Sequence, residues 1–338
     1  MTTPQTCHVL VVGGAGYIGS HMVRLLEASG YQPVVFDDLS TGHRDLVPQG
    51  TPFIEGDLKR ESDIAAAFEA YPIRAVMHFS ASSIVGESVK DPLKYYENNV
   101  TAAVQLLKAM QKHRVRRLIF SSTAAVYGEP GWVPISEDDP TVPLNPYGRS
   151  KLMIEHMIED QARAGHLEYI TLRYFNACGA DESLRTGERH CPETHLIPNI
   201  LKAAFGLAKE IVIFGDDYAT LDGTCVRDYV HVEDIAHAHL SALRAFDHNV
   251  QNQVFNLGNG SGYSVLEIIR EAERVTGRPI QVRTGARRPG DPATLVASAE
   301  KARTVLKWIP LRDLTGILRS AWNWEMLEAQ KKIVPALN

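Results

Sequence analysis

A chain of 338 residues, 44% hydrophobic and 22% charged, is long enough for a large core or two domains and too apolar for intrinsic disorder. Its 35 basic and 40 acidic residues leave a net charge of −5 with no long run of either sign. That excludes a broad nucleic-acid or anionic-membrane surface and makes any phosphate contact local.

The N-terminal MTTPQTCHVLVVGG has no basic region before its short apolar run, and no later segment reaches the roughly 18 apolar residues of a membrane span. Cys7, Cys178, Cys191 and Cys225 lack CxxC spacing, so neither a zinc knuckle nor a disulfide framework is expected. A cytoplasmic protein with reduced thiols is the expectation.

From Cys7 to about Asn176, the strand candidates HVLVV, PVVFD, TPFIEGD, RAVMHFSA, RRLIFSST and YITLRYF alternate with helical stretches. These are YIGSHMVRLLEASG, ESDIAAAFEAY, DPLKYYENNVTAAVQLLKAMQKH and YGRSKLMIEHMIEDQARAG. Near-continuous apolar strands with helical crossovers predict an α/β protein with a doubly wound parallel (Rossmann) sheet, whose ligands sit at the strands' carboxyl ends. After Asn176 the pattern loosens into CGADESLRTGERHCPETH and a set of shorter elements, which predicts a smaller, mixed α/β lobe. Residues 1–176 are thus expected to bind a dinucleotide and 177–338 the substrate, with part of 226–260 returning to the first sheet.

The first strand runs into Gly13-x-x-Gly16-x-x-Gly19 at the head of a helix. Glycines there let the backbone approach a pyrophosphate, which the helix N-terminus stabilises. Asp37, 18 positions past Gly19, ends the second strand and is placed to accept hydrogen bonds from a ribose, which favours NAD over NADP. Asp57 in EGDL is a weaker adenine-side candidate.

Tyr147 and Lys151 in NPYGRSK share a helix face, so an ammonium beside the phenol, together with the positive nicotinamide ring of bound NAD, is expected to lower its pKa and make it a base. Thr123 ends the preceding strand, where its hydroxyl can hold the oxygen whose proton Tyr147 takes. HCPETH puts His190, Cys191 and His195 close together, but no fourth ligand is apparent and no metal is expected. Asp216, Asp217 and Asp222 read as turn residues, and His237 and His239 as surface or core.

In the order and spacing of GGAGYIGSH, EGDL, VGESVKDPLKYYENNV, FSSTAAVYG, PYGRSKLMIE, LRYFNACGA, VRDYVHVEDIA, NLGNGSGYSV and RRPGDPA, the chain resembles the extended short-chain dehydrogenase/reductases and, among them, the UDP-glucose 4-epimerases. The resemblance implies Tyr147 as base, Lys151 as its partner and ribose ligand, and Thr123 in place of the family's Ser or Thr. It implies NAD contacts at Gly13, Gly16, Tyr17, Ile18, Gly19, Asp37, Asp38, Asp57, Leu58, Phe79, Ser80, Asn99, Ser122 and Tyr174 as well. Asn176, His195, Leu196, Arg227, Arg288, Asp291 and Leu295 match positions around the UDP-sugar.

The implied reaction is epimerisation of a UDP-sugar at C4, UDP-glucose to UDP-galactose, with hydride lent to a tightly held NAD and returned to the other face. A homodimer is implied too. Related dehydratases carry Asp-Glu after the threonine, where this chain has Ala124 and Ala125, so elimination chemistry is disfavoured. An alcohol dehydrogenase or a non-catalytic NAD-binding protein fits less well. Ser83 stands where many members have lysine, and Leu295 leaves N-acetylated and pentose substrates open.

Overall fold

The computed structural model describes residues 7–288 and 291–333. The first half alternates strand and helix: β1 (His8–Val12), α1 (Tyr17–Ala28), β2 (Gln32–Asp37), β3 (Phe53–Glu55), α2 (Glu61–Ala70), β4 (Ile73–His78), α3 (Val85–Lys90), α4 (Pro92–Tyr95), α5 (Ala102–Lys112), β5 (Arg117–Thr123), α6 (Pro146–Arg163) and β6 (Glu168–Tyr174). Then follow β7 (Asn176–Cys178), α7 (Leu196–Phe205), β8 (Ile211–Phe214), β9 (Val226–His231), α8 (Val232–Ala245), β10 (Gln253–Leu257), β11 (Gly262–Ser264), α9 (Val265–Thr276), β12 (Val282–Gly285), β13 (Thr294–Leu295), α10 (Glu300–Val305) and α11 (Leu314–Ile333).

Seven strands pair in the order β10-β6-β5-β4-β1-β2-β3, all parallel. The two-residue period of β1 shows why helices cover both faces. Val9 and Val11 meet Met22 and Leu26 of α1 and Ile235 of α8 on one side. Leu10 and Val12 meet Leu106 of α5 and Ile154 and Ile158 of α6 on the other.

Within 226–260, α8 packs on α1 and β10 extends the large sheet, whereas β9 stands in a second sheet with β7, β11 and β13. Behind that small sheet, α7, α9 and α11 close a separate apolar core around Ile200, Ile268 and Ile317.

The stretch from Asp91 to His113 is helical almost throughout, with a wide π turn at Tyr96–Thr101 between α4 and α5. Such turns tend to mark functional positions. Here the turn holds Asn99 inside the protein, where its side chain accepts from Ser82 N at 2.8 Å and donates to Ser150 Oγ at 2.9 Å.

Burial holds His21, His78, His231 and His239 neutral, lowering them from 6.5 to about 4, 3, 3 and 4 respectively. As pH falls below 6.5 the unfolded chain takes up protons that the folded chain refuses, so stability is full above that pH and is lost on acidification. His78 is the clean probe, since neither of its ring nitrogens has a partner. In urea unfolding, His78→Phe should lose less stability than the parent between about pH 6.5 and pH 4. Equal losses would remove His78 from the acid response.

Candidate active site

The carboxyl ends of β1, β2, β4 and β5 converge on one cleft, and the glycine turn after β1 forms its floor. Gly13 is left-handed at φ +79°, and a Cβ on it would lie 2.6 Å from Ser80 N. A Cβ on Gly19 would lie 2.1 Å from Gly13 O, closer than any real contact. No side chain caps α1 at Gly16, which leaves first-turn N–H groups at Tyr17 and Ile18 for an anion. These features fit a dinucleotide pyrophosphate.

Asp37 is buried and accepts 2.9 Å bonds from Ala15 N and Leu39 N, one on each oxygen. It therefore pins the glycine turn, and each oxygen keeps a lone pair for a ribose hydroxyl. Burial raises its pKa, with those two backbone bonds opposing. Asp38 is exposed and bound to Ser40. Asp57 lies two residues beyond β3 and accepts from Lys59 N, while Leu58 joins the apolar core. Phe79 N and Ser80 N both donate to Val12 O, so these residues close the cleft beside the turn.

The catalytic candidates meet because of a glycine inside NPYGRSK. Asn145 caps α6 by accepting from Gly148 N at 2.9 Å, with Pro146 in the first turn. A Cβ on Gly148 would come within 2.5 Å of Ala125 O. The first turn of α6 thus rests on the turn after Thr123, and Tyr147 reaches the Thr123 hydroxyl. The ring of Tyr95 stands edge-on to Tyr147 at 6.5 Å, held by bonds from its hydroxyl to Ile84 O and Glu87. Tyr174 borders the same pocket, and burial raises its phenol above the ordinary value, with Tyr147 adding to the effect.

Electrostatics here run against the simple expectation. Burial raises the Tyr147 phenol, opposed by its hydrogen bond with Thr123. Burial also brings Lys151 down to about 7, with Glu155 opposing, and its ammonium donates to Ser121 O at 2.8 Å. Burial, with no compensating effect from Lys151, sets the pKa of the Tyr147 phenol.

Beneath these groups lies a polar network that the sequence reading missed. Glu155, one turn after Lys151, is 2% exposed; it accepts from Arg173 at 2.5 Å and, through a short bond, from Ser122 Oγ. Arg173 also donates to the Tyr127 hydroxyl at 2.9 Å, which donates to Asn256 of β10 at 2.8 Å. Ser121 Oγ pairs with His239 Nε2 at 2.9 Å, so His239 is a satisfied core histidine. The i, i+4 spacing of Lys151 and Glu155 was the available signal.

On the substrate side, Arg227 is buried and held by Asp291 through a short bond, and by Val226 O and Pro292 O at 2.7 Å. Arg288 is exposed and lies over the Phe214 ring at 4.1 Å. Asn176 opens β7 and is exposed, Leu196 begins α7, and Leu295 packs beside Ala124 and Phe175. The Nδ1 of His195 lies 2.8 Å from Glu188 and 3.0 Å from Glu193. Burial pulls His190 and His195 down, but the Glu188 and Glu193 carboxylates beside them outweigh it and hold them at about 9 and about 10. Asp222 is tied to Thr224 and Ser264 as a turn residue.

A dinucleotide turn, an acidic ribose clamp and a Tyr/Thr/Lys set on one parallel sheet define an NAD-dependent enzyme of the short-chain dehydrogenase type. The chain belongs to the NAD dependent epimerase/dehydratase family, whose model matches residues 9–258. It is 50% identical over 317 residues to a UDP-glucose 4-epimerase from Halalkalibacterium halodurans, covering 94% of this chain and 95% of that protein. It is also similar to the crystal structure of UDP-glucose 4-epimerase from Brucella ovis in complex with NAD, with TM-score 0.91, 48% identity, and coverage of 94% and 98%. A Stenotrophomonas UDP-glucose-4-epimerase with bound NAD and formylated UDP-arabinopyranose matches with TM-score 0.93 and 40% identity, covering 96% and 99%.

Two variants test this construction. Gly19→Ala should yield protein without NAD, measured by nucleotide release on denaturation; full NAD content would show that the turn tolerates a side chain. Arg173→Met leaves the Glu155 charge buried and unpaired, and should cost about 3–5 kcal/mol in denaturant unfolding. A loss below about 1 kcal/mol would make the pair incidental.

Proposed function

We propose that this chain interconverts UDP-glucose and UDP-galactose at C4, with Tyr147 moving the proton of the 4-hydroxyl. The observation that carries this reading is the meeting of Tyr147 and Thr123 at the end of β5, followed by Ala124 and Ala125. An eliminating enzyme needs an acid and a base beside the oxidised carbon; two alanines supply neither.

Gly13, Gly16, Gly19, Asp37, Asn99 and Lys151 would hold NAD, with Tyr17, Ile18, Asp57, Leu58, Phe79, Ser80, Ser122 and Tyr174 lining its site. Held there, NAD would supply a reversible hydride acceptor for C4. The chain's own residues do the rest. Thr123 would hold the 4-oxygen against the Tyr147 oxygen, which as phenolate takes the 4-hydroxyl proton in one direction and as phenol returns it in the other. Lys151, fixed on Ser121 O, stands one helical turn away from Tyr147, in reach of a cofactor ribose.

Arg227 and Arg288, with Asn176, Leu196 and Asp291, would grip the UDP part, a guanidinium fork being suited to pyrophosphate. Gripping the sugar at its distant nucleotide leaves the hexose free to present either face to the base. Leu295, packed beside Ala124, would border that hexose.

We extend the proposal to a homodimer. Val89 of α3, Leu93 of α4 and Met153 of α6 are exposed on helices that pack together, an apolar face suited to a second copy. No helix of the described residues is long and apolar enough to cross a membrane. Four free cysteines fit a reducing compartment, and the cytoplasm is proposed.

Purified protein given UDP-galactose and no added NAD should form UDP-glucose without accumulating reduced nicotinamide. A 4-keto-6-deoxy product, or stoichiometric nicotinamide reduction, would sink the proposal. Tyr147→Phe should retain NAD yet lose about 10²–10⁴-fold in turnover; unchanged turnover would remove Tyr147 from the mechanism.

A further inference from the structure

The loop between β7 and α7 gathers two glutamates and two histidines at one point. Glu188, His190, Glu193 and His195 each offer one ligand atom, and all four atoms lie within 4.8 Å of one another. His195 Nδ1 is 2.8 Å from Glu188 Oε1 and 3.0 Å from Glu193 Oε1. His190 Nδ1 is 3.2 Å from Glu188 Oε1 and 3.8 Å from Glu193 Oε2. A tetrahedral site with bonds of about 2.0–2.1 Å has edges of about 3.3–3.4 Å. With Glu193 taken through Oε1, the three edges Glu188–His195, Glu188–His190 and Glu193–His195 are 2.8, 3.2 and 3.0 Å, each slightly under that length.

Charge points the same way. The Glu188 and Glu193 side chains are only 7% and 5% exposed, so two adjacent carboxylates have left water and need two positive charges. Two imidazolium rings would supply them at the cost of mutual repulsion, their centroids being 5.0 Å apart. One divalent ion supplies the same charge to two neutral rings.

The carboxylates are also held in place. Trp324 Nε1 donates to Glu188 O at 2.9 Å, and its ring fills the space where a side chain on Gly187 would go. The backbone N–H groups of Thr194 and His195 each donate to Glu193 Oε1 at 2.8 Å. His195, the most exposed of the four, provides an entry path. Cys191 is exposed and lies outside the set.

We propose that Glu188, His190, Glu193 and His195 form a structural divalent-metal site, closed by two imidazole and two carboxylate ligands and suited to zinc. The site clamps a loop that already touches the nucleotide-binding half. Tyr17 donates to Gly179 O at 2.6 Å, and His43 Nε2 lies 2.9 Å from Arg189 O. Metal at this point holds the head of α7, and Leu196 with it, in a fixed place beside the cleft.

The test is metal analysis of untagged protein after dialysis against metal-free buffer, with circular dichroism and NAD content as checks on folding. About one zinc per chain is expected, and about ten-fold less in His190→Ala, with Cys191→Ser unchanged. As a measurement independent of any variant, cobalt-loaded parent protein should show the visible bands of tetrahedral Co²⁺, and equimolar zinc should displace them. Metal-free parent protein that also binds no cobalt would overturn the proposal, as would full zinc content in folded His190→Ala.

Discussion

The site hangs on one buried ion pair. Glu155 and Arg173 join α6 to β6, and the Ser122 bond adds β5, so three elements are locked together directly below Lys151 and Thr123. A buried pair of this kind gives little net stability, because desolvation consumes most of the attraction. What it gives here is position. With both charges dry, neither partner can move without leaving the other unpaired, and the face of α6 that carries Tyr147 and Lys151 inherits that constraint. Tyr127 and Asn256 carry it on to β10, the strand that arrives last in the chain and completes the sheet.

The same dryness shapes the chemistry. A phenol that burial holds above its ordinary pKa is a poor base before ligands enter the cleft, and Lys151, lowered to about 7, does not correct this alone. In the proposed reaction a positive charge on the bound cofactor would favour the phenolate, and burial would make that charge count for more.

How much of this was legible in the sequence follows the range of the interactions. The six strands of the first half and the glycine turn were readable because apolar period and local spacing determine them. Gly148 was visible in NPYGRSK, but its reason was not: the constraint is Ala125 O, 23 positions away in a turn that has no periodic signature. Arg173 looked like one more strand residue, because nothing local says which buried arginine will meet which glutamate. The expectation of an ammonium activating the phenol came from i, i+4 spacing alone. Spacing gives proximity; it says nothing of the desolvation that works against both charges.

The loop before α7 shows the limit most sharply. Counting spacings in HCPETH found two histidines and a cysteine and stopped for want of a fourth ligand. In the fold the cysteine turns outward, and Glu193, inside the motif, and Glu188, two residues before it, turn in. Carboxylates are so common on surfaces that sequence cannot mark two of them as buried. The backbone beside Glu188 is fixed by Trp324, which is 136 positions from the Glu188 carbonyl it binds and whose ring fills the space beside Gly187. The two acids thus become a candidate ligand pair only in the folded chain, where residues distant in sequence hold the loop.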